Sequence, residues 1–518
     1  MGLEYTLKTI SPVFVYLILG LVGSVFFIYT FNPNLGYNSD CARYYILGQS
    51  LASGYGLVSV WEAGWPIEKL SSPGYPLLIA LLSIIGLERM FFAKIVTGLF
   101  FIGLSVISFK LFRKLKFHFY IAFLCSILIS MNVELLRHSS IMLTELPFTF
   151  ISILSLYFII KSEEYGGKEF NVSFWLAIFL SIASFYTRMV GIAVIGSIFL
   201  NEVIHKRWKK SVITAIIPSI ICLPWIIRLS TLNGLTHFAL ITTDEKVVSN
   251  ITNATLSDYA IRIFTNLSRY LSIEIPVGLT PFTAEVIYSN QALGFMVGIS
   301  IVVFTIYGLL RLDKGRTIII TYISLYTGIL LLFPSVFSGI RFLLPLIPLI
   351  IGMSIFGFYS IVEKYITGSN SKYVQIILVI FILFSLYGVH KLSNEVKEPI
   401  SPQLQRYSEA AIWSAKNLPK KANVATVLGV NFFFYSGRVT TNFAPYDDVD
   451  IYLQLLISKG VTHIFVDENV WTFSDKRIFI AKNFVDPLVK YHSQNFEEIY
   501  RTNEGNTYIL RLISEKSN

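Results

Sequence analysis

The sequence predicts an all-α polytopic membrane bundle followed by a C-terminal α/β domain. Two observations support this prediction. The chain of 518 residues is 54% hydrophobic and only 14% charged, whereas roughly a quarter of the residues in a soluble domain are charged. In addition, apolar runs of about 20 residues, the length that crosses a bilayer as a helix, recur along residues 1–390.

The apolar runs predict about eleven membrane-spanning helices. The run 172–187 is shorter than the others and is counted because 189–204 follows it directly. The predicted spans lie at 10–30, 90–112, 117–133, 142–161, 172–187, 189–204, 211–229, 291–311, 317–334, 341–361 and 373–390. The first run is too long for the apolar core of a signal peptide, so we interpret it as a membrane helix.

The basic residues give the predicted orientation, because clusters of Lys and Arg mark cytoplasmic loops. The apolar segment 74–87 has only 14 residues and begins directly after Pro73. When this segment is not counted as a span, every basic cluster between spans falls on one side. The N-terminus is then cytoplasmic, and 74–87 is predicted to lie in the outer membrane interface or to re-enter from it.

This topology predicts long outer loops at 31–89 and 230–290 and an outer C-terminal region. The predicted domains are therefore a membrane bundle at 1–390 and an extracytoplasmic α/β domain at 391–518. The elements predicted in the second domain are a helix at 407–418, a strand at 422–428, a helix at 449–458, a strand at 461–466 and a terminal hairpin. No glycine-rich phosphate loop is present there, so we assign this domain support or acceptor contact.

Charge and cysteine usage exclude several classes of protein. The 42 Lys and Arg against 32 Asp and Glu give a net charge of +10. The basic residues form short clusters between apolar runs, which favours anionic lipid headgroups over nucleic acid as the partner. Cys125 and Cys222 lie in apolar runs and are predicted to be buried, and Cys41 has no partner nearby. The three cysteines therefore predict no disulfide framework and no zinc site.

Ionisable and aromatic side chains concentrate in the loop 31–89, here called the first loop. Asp40 lies among aromatic residues, and a carboxylate in such a place can take a proton from an attacking hydroxyl. Arg43 and Lys69 are suited to hold a phosphate group. The structural alternative is that Asp40 caps a surface helix beginning near Cys41, with the tryptophans forming an interfacial belt.

Three further ionisable residues are predicted at the same outer face. Glu145 begins the fourth span, Arg188 lies between the fifth and sixth, and Arg341 begins the tenth. Ionisable residues at membrane depth are costly and therefore indicate function. Two arginines and two carboxylates would suit an anionic lipid headgroup and a hydroxyl nucleophile. Each residue taken alone is also explained as an interfacial anchor.

Four segments in this order resemble the GT-C glycosyltransferases, in particular the protein O-mannosyltransferases and the lipid A aminoarabinose transferases. The resemblance covers roughly residues 31–362. Segment 39–44 (SDCARY, with LASG at 51–54) is similar to the first outer loop of these enzymes, and 73–76 (PGYP) is similar to the proline-rich end of that loop. Segment 143–147 (LTELP) is similar to their second acidic position, and 341–345 (RFLLP) is similar to a late basic-aromatic-proline signature.

The resemblance implies an inverting glycosyltransferase that moves a sugar from a polyprenyl-phosphate donor to a hydroxyl of a protein, lipid or cell-envelope glycan. It implies that Asp40 is the general base and that Glu145 is a second catalytic carboxylate. The other implied site residues are Arg43, Lys69, Arg188 and Arg341 for the donor phosphate, and Tyr44, Trp61 and Tyr75 for the acceptor or sugar. Cys41 stands where the family often has Glu after the Asp, and we expect no obligatory metal.

A transporter or flippase of lipid-linked sugars is the alternative function. Transporters place their main charges near the bilayer midplane and often contain internal repeats. Here the candidate charges lie at the predicted outer ends of the spans, and no repeat is visible. A non-catalytic scaffold would not need carboxylates at the junction of loop and bundle. A polymer ligase of the O-antigen type remains open, although its chemistry lies in a late outer loop.

Overall fold

The computed structural model describes the chain except for residues 1–10, 36–38, 165–169, 233–253, 281–283, 336–338, 366–370, 444–445, 447, 469, 474–475 and 514–518. It divides into two units. The membrane unit comprises Met1–Pro33, Lys69–Tyr75 and Met90–Lys397. The α/β unit comprises Asn34–Glu68, Pro76–Arg89 and Glu398–Asn518.

The described part of the chain up to Lys397 is mainly helical. Side-chain caps begin several of these helices: Asn132 and Asn171 each accept a hydrogen bond from the backbone three residues on. The helices are α1 Pro12–Tyr29, α2 Ser39–Ala52, α3 Gly74–Ile84, α4 Met90–Lys114, α5 Phe119–Ser130, α6 Val133–Ser139, α7 Glu145–Ser162, α8 Val172–Thr187, α9 Ile192–Ile204, α10 Trp208–Thr231, α11 Leu256–Arg269, α12 Ile275–Leu279, α13 Ala284–Ser289, α14 Gln291–Leu310, α15 Arg316–Leu332, α16 Ile340–Leu343, α17 Ile347–Tyr365 and α18 Ser371–Lys397.

Every predicted span coincides with one of these helices, except that 341–361 covers both α16 and α17. Among the described residues, 6 helices are long and apolar enough to cross a membrane, and the count rises to 7 if α5 and α6, bent by 52°, form one span. α8, α15 and the helical run Met189–Ile204 are apolar but shorter. The multi-pass membrane bundle is therefore confirmed, while the number of eleven spans stays a prediction.

The short apolar segment after Pro73 forms α3, a helix of 11 residues. At 1.5 Å per residue it extends about 16 Å, roughly half the hydrocarbon thickness of a bilayer. It is therefore too short to cross a membrane alone, which agrees with leaving it out of the predicted spans. Its position in the membrane interface stays a prediction.

Glycines let two of the membrane helices pack at short distance. A Cβ atom at Gly308 of α14 would collide with the carbonyl oxygen of Met353, and one at Gly357 of α17 would collide with that of Phe304. Small residues that allow close backbone approach are a common means of joining helices in lipid, where apolar burial gives little driving force. This contact joins the two long helices α14 and α17.

The C-terminal part of the α/β unit is built around a five-stranded sheet of order β2-β1-β3-β7-β6. β1 is parallel to β2 and β3, whereas β7 is antiparallel to β3 and β6. The elements are α19 Pro402–Asn417, β1 Asn423–Thr426, α20 Gly429–Ser436, β2 Val439–Asn442, α21 Val449–Ser458, β3 His463–Val466, β4 Val470–Phe473, β5 Lys476–Phe479, α22 Asp486–Tyr491, β6 Phe496–Arg501 and β7 Tyr508–Leu512.

The predicted elements of this domain are all present, but the sequence analysis missed α20, β2, β4, β5 and α22. β1, α21 and β3 form the predicted βαβ unit, and β6 with β7 forms the predicted hairpin. Between β1 and α21, the chain makes an additional β1-α20-β2 connection. α20 has 8 residues and β2 has 4, and elements this short give little periodic signal.

The first loop packs with the C-terminal domain in the α/β unit. The backbone N–H and the hydroxyl of Thr440 both donate to the carbonyl oxygen of Trp61, at 2.7 and 2.9 Å. The rings of Tyr45 in α2 and Phe434 in α20 meet edge to face at 5.7 Å. β2 is an edge strand, whose unpaired backbone groups need a cover. The predicted division, which placed 31–89 with the bundle, did not include this association.

We expect Thr440→Val to loosen the first loop without unfolding the α/β unit. The variant keeps the backbone hydrogen bond and loses the one from the hydroxyl, so the expected destabilisation is about 1 kcal/mol. Hydrogen exchange of the amides at 59–62 should become faster. Thr441→Val is the matched control, because the Thr441 hydroxyl instead donates to Asn423, at 3.1 Å. Equal exchange in the two variants would contradict the role given to Thr440.

Candidate active site

Glu145, Arg188 and Arg341 form a cluster at one end of the membrane unit. One carboxylate oxygen of Glu145, Oε1, lies 2.5 Å from Nη1 of Arg188 and 2.8 Å from Nε of Arg341. The Glu145 side chain is fully buried and that of Arg188 nearly so, whereas 28% of the Arg341 side chain is exposed. The structure therefore brings together three residues that are far apart in the sequence, each of which the sequence predicts as a site residue.

The backbone around Arg188 directs its side chain to this carboxylate. Arg188 has an extended conformation (φ −149°, ψ 134°) between α8 and a 3₁₀ turn at Met189–Gly191. Gly191 allows this turn to fold back, because a Cβ there would collide with the backbone of Ser184 and Phe185. The hydroxyl of Thr144 also accepts a hydrogen bond from Arg188, at 3.1 Å. Arg188 therefore joins the start of α7 to the end of α8.

Both guanidinium groups also lie over one aromatic ring. The ring centre of Phe342 is 5.6 Å from the guanidinium carbon of Arg188 and 5.4 Å from that of Arg341. A cation over an aromatic face is stabilised by the negative charge of the ring surface. The ring therefore helps the carboxylate to hold two cations side by side despite their mutual repulsion.

The cluster holds two guanidinium groups side by side. Both contact the same carboxylate oxygen, Oε1 of Glu145. The second oxygen of Glu145, Oε2, is buried and accepts no hydrogen bond from the part of the chain that the structure describes. A fully buried carboxylate already engaged with two arginines is placed to orient them. The arrangement therefore suits an anion, and Glu145 is better placed to position the arginines than to contact an acceptor.

Asp40 and Arg43 lie together in the α/β unit. Asp40 is in the first turn of α2, and its Oδ1 lies 3.7 Å from Nη1 of Arg43. The Asp40 side chain is 32% exposed, so a solvent-borne hydroxyl can reach it. The guanidinium of Arg43 also lies 5.9 Å from the ring centre of Trp61. The helix begins at Ser39, so Asp40 lies inside its first turn and not at the capping position of the structural alternative. Its partial exposure gives the accessibility that a general base needs.

The remaining predicted site residues have different surroundings. Tyr44 is half-buried on α2, and Lys69 is exposed in the membrane unit. Trp61 is buried, and its ring N–H donates to the carboxylate of Glu62 at 3.2 Å. Tyr75 is buried in the membrane unit, with its hydroxyl 2.6 Å from that of Thr97. Contact of Trp61 or Tyr75 with a sugar therefore needs a change in packing and stays a prediction.

The sequence reading missed two polar contacts in the membrane unit. Lys94 in α4 is buried and donates to the backbone carbonyl of Asn32 at 2.8 Å. Arg137 in α6 pairs with Glu395 in α18, with Nη2 to Oε2 at 3.1 Å. The signal for Lys94 was present, because it is a charged residue inside an apolar run. No local pattern indicated the second pair, since its members are 258 residues apart.

No three His, Cys, Asp or Glu side chains lie together as metal ligands within the described residues. Carboxylate oxygens are the usual ligands of Mg²⁺ and Mn²⁺. The only cluster carboxylate, Glu145, is engaged by two arginines, so its surroundings suit an anion better than a cation. The prediction that no metal is required stays open to a chelation test.

Comparisons with known proteins agree with this fold and with the resemblance seen in the sequence. The family of dolichyl-phosphate-mannose-protein mannosyltransferases matches residues 84–247. ArnT from Cupriavidus metallidurans, solved bound to undecaprenyl phosphate, has a TM-score of 0.61 and 10% identity over 96% of this chain and 97% of its own. No curated protein matches the chain by sequence.

A second solved structure extends the likeness. The oligosaccharyltransferase of Archaeoglobus fulgidus, solved tethered to an acceptor peptide with the NVT sequon, has a TM-score of 0.58 and 11% identity. The alignment covers 97% of this chain and 74% of the other. The chain therefore shares its fold with these membrane glycosyltransferases, and the family match covers residues 84–247. The predicted fold class and the resemblance are confirmed, and the flippase alternative is not favoured.

Proposed function

We propose that the protein transfers a sugar from a polyprenyl-phosphate donor to a hydroxyl acceptor, with inversion at the anomeric carbon. The observation that carries this proposal is the pair of guanidinium groups, Arg188 and Arg341, that Glu145 holds side by side in a bundle of the GT-C fold. Paired guanidinium groups bind phosphate oxygens in a fixed geometry. The undecaprenyl phosphate held by ArnT supports a donor of the same chemistry here.

The proposed reaction is a single displacement. The acceptor oxygen attacks the anomeric carbon on the face opposite the phosphate, and the bond from that carbon to the phosphate oxygen breaks. The phosphate leaves with the bonding electrons, while the proton of the attacking hydroxyl passes to the carboxylate of Asp40. Arg188 and Arg341 stabilise the negative charge that develops on the leaving phosphate.

The roles of the other residues follow from their positions. Glu145 is proposed to orient the two arginines and to fix their charge at the phosphate. Arg43 is proposed to orient Asp40, and Lys69 is a further cation for the phosphate. Tyr44, Trp61 and Tyr75 stay proposed contacts of the acceptor or sugar, of which Tyr44 is the most accessible. The donor and acceptor are expected on the extracytoplasmic side, with the N-terminus cytoplasmic.

The test is transfer of labelled sugar by the purified full-length protein in lipid, using a panel of polyprenyl-phosphate sugars. One donor should be consumed, with release of polyprenyl phosphate and formation of a glycosylated product or slow hydrolysis to free sugar. The same assay with EDTA should give an unchanged rate if no metal is needed.

A transporter would give a different outcome with the same protein in lipid vesicles. A flippase would move intact lipid-linked sugar across the bilayer and would leave the bond between sugar and phosphate unbroken. If the folded protein cleaves none of the donors while the labelled lipid changes leaflet, the proposed function is wrong.

A further inference from the structure

Helix α11 has the reverse polarity of a helix in a water-soluble protein. On its inward side, Arg262 and Asn266 are buried, with 2% and 0% exposed. On its opposite side, Ile261 and Phe264 are 60% and 77% exposed. A surface helix in water buries its apolar stripe and displays its polar residues. Polar residues that face the protein interior while apolar residues face outward are the pattern of a helix in lipid.

The inward side of α11 caps the end of α15. The side-chain amide of Asn266 donates to the carbonyl oxygens of Leu330, Leu331 and Phe333, at 3.4, 3.1 and 2.8 Å. The last carbonyls of a helix lack partners within the helix and need partners from elsewhere. Asn266 therefore fixes the point at which the chain leaves α15 and runs towards Arg341.

Two further contacts reach the residues Gly339–Leu343, here called the Arg341 segment. The hydroxyl of Tyr270, directly after α11, lies near the backbone of Gly339. Gly278 in α12 packs against this segment so closely that a Cβ there would lie 2.6 Å from Ile340 and 3.5 Å from Leu343. The helical stretch from α11 to α12 therefore contacts the chain both before the segment and within it.

The same stretch is anchored on a long membrane helix. Tyr270–Glu274, between α11 and α12, forms one π-helical turn. The carbonyl oxygens of Leu271 and Ser272 in this turn lie where Cβ atoms at Gly298 and Gly294 of α14 would stand. Because α14 is long and apolar enough to cross a membrane, the π turn and α11 are held against a lipid-embedded span.

We propose that the apolar side of α11 lies in membrane lipid while its polar side holds the Arg341 segment in place, so that Asn266 is a positioning residue for Arg341. The occupant of the apolar side is lipid hydrocarbon, because α11 is anchored on α14 and reverses the polarity of a water-exposed helix. The effect on catalysis rests on the proposed function of Arg341, whereas the lipid contact does not.

The lipid contact is tested with a nitroxide label on Phe264→Cys in the full-length protein in nanodiscs. The three native cysteines are buried, so the label is selective. Relaxation of the label by oxygen should exceed relaxation by a water-soluble nickel complex. Thr265→Cys lies about 100° around the helix from Phe264, at the edge of its polar side. It is the control and should show more nickel access. Dominant nickel access at 264, or access to neither reagent, would overturn the lipid contact.

The positioning role is tested by combining variants. Asn266→Ala should lower kcat/KM about tenfold to a hundredfold, the range expected for small misplacements of a catalytic group. In an Arg341→Ala background the same change should cause almost no further loss, because both act through one group. Full additivity would show that Asn266 is merely structural. Tyr270→Phe removes a single hydroxyl and gives a second, milder variant if Asn266→Ala does not fold.

A measurement without turnover separates this inference from the proposed function. A nitroxide on Ser335→Cys should become more mobile in Asn266→Ala and in Tyr270→Phe, but not in Thr265→Ala. If no donor is consumed yet the mobility rises as expected, the proposed function fails and the positioning contact stands. If the mobility is unchanged in a protein that is active, the positioning contact is wrong.

Discussion

Replacement of Asp40 by Asn is expected to reduce sugar transfer by roughly 10²- to 10⁴-fold, the range of general-base catalysis. Asn has the size and shape of Asp but does not accept a proton from the attacking hydroxyl. The ion pair with Arg43 is also lost, but it is partly exposed at 3.7 Å, and pairs of this kind contribute at most about 1 kcal/mol. The variant should therefore fold and bind the donor with a nearly unchanged KM.

The matched control is Glu62→Gln in the same loop. Glu62 is a partly exposed carboxylate that accepts a hydrogen bond from Trp61, so the substitution makes the same chemical change without touching the proposed base. Its transfer rate should stay near that of the unmodified protein. Near-normal turnover in Asp40→Asn, or an equal loss in both variants, would show that the base lies elsewhere.

The sequence predicted the membrane helices well because hydrocarbon imposes a local rule. Each spanning segment must be long, apolar and helical, and these properties are visible without knowledge of its neighbours. Glu145, Arg188 and Arg341 were predicted as site residues by the converse rule, because a charge at the end of an apolar run needs a reason. That Glu145 binds both arginines through one oxygen was not predictable, since it depends on how α7, α8 and α16 pack.

The features that the sequence did not predict are contacts between elements that are far apart in the chain. The capping of α15 by Asn266 joins residues more than 60 positions apart, and nothing around an Asn in an amphipathic helix indicates such a partner. The association of the first loop with β2 joins Trp61 and Thr440 across 379 positions. It gives the C-terminal domain a physical role, because this domain packs against the loop that carries Asp40.

Replacement of Glu145 by Gln is expected to destabilise the protein by about 3–5 kcal/mol, the effect of removing one partner from a buried ion pair. Arg188 would keep its charge in a site from which water is excluded, and Arg341 would lose the group that restrains it. Transfer should fall together with donor affinity. The midpoint of thermal unfolding in detergent and the donor KM measure these two effects.

Glu395→Gln provides the matched control, because it makes the same change in the more exposed pair with Arg137. Its expected effect is below about 1 kcal/mol. The double variant Glu145→Gln with Arg188→Met removes the buried cation as well, so it should recover most of the lost stability. If Arg188 acts on the phosphate, this variant stays inactive although it is stable. Recovered activity would instead mean that the pair serves only the fold.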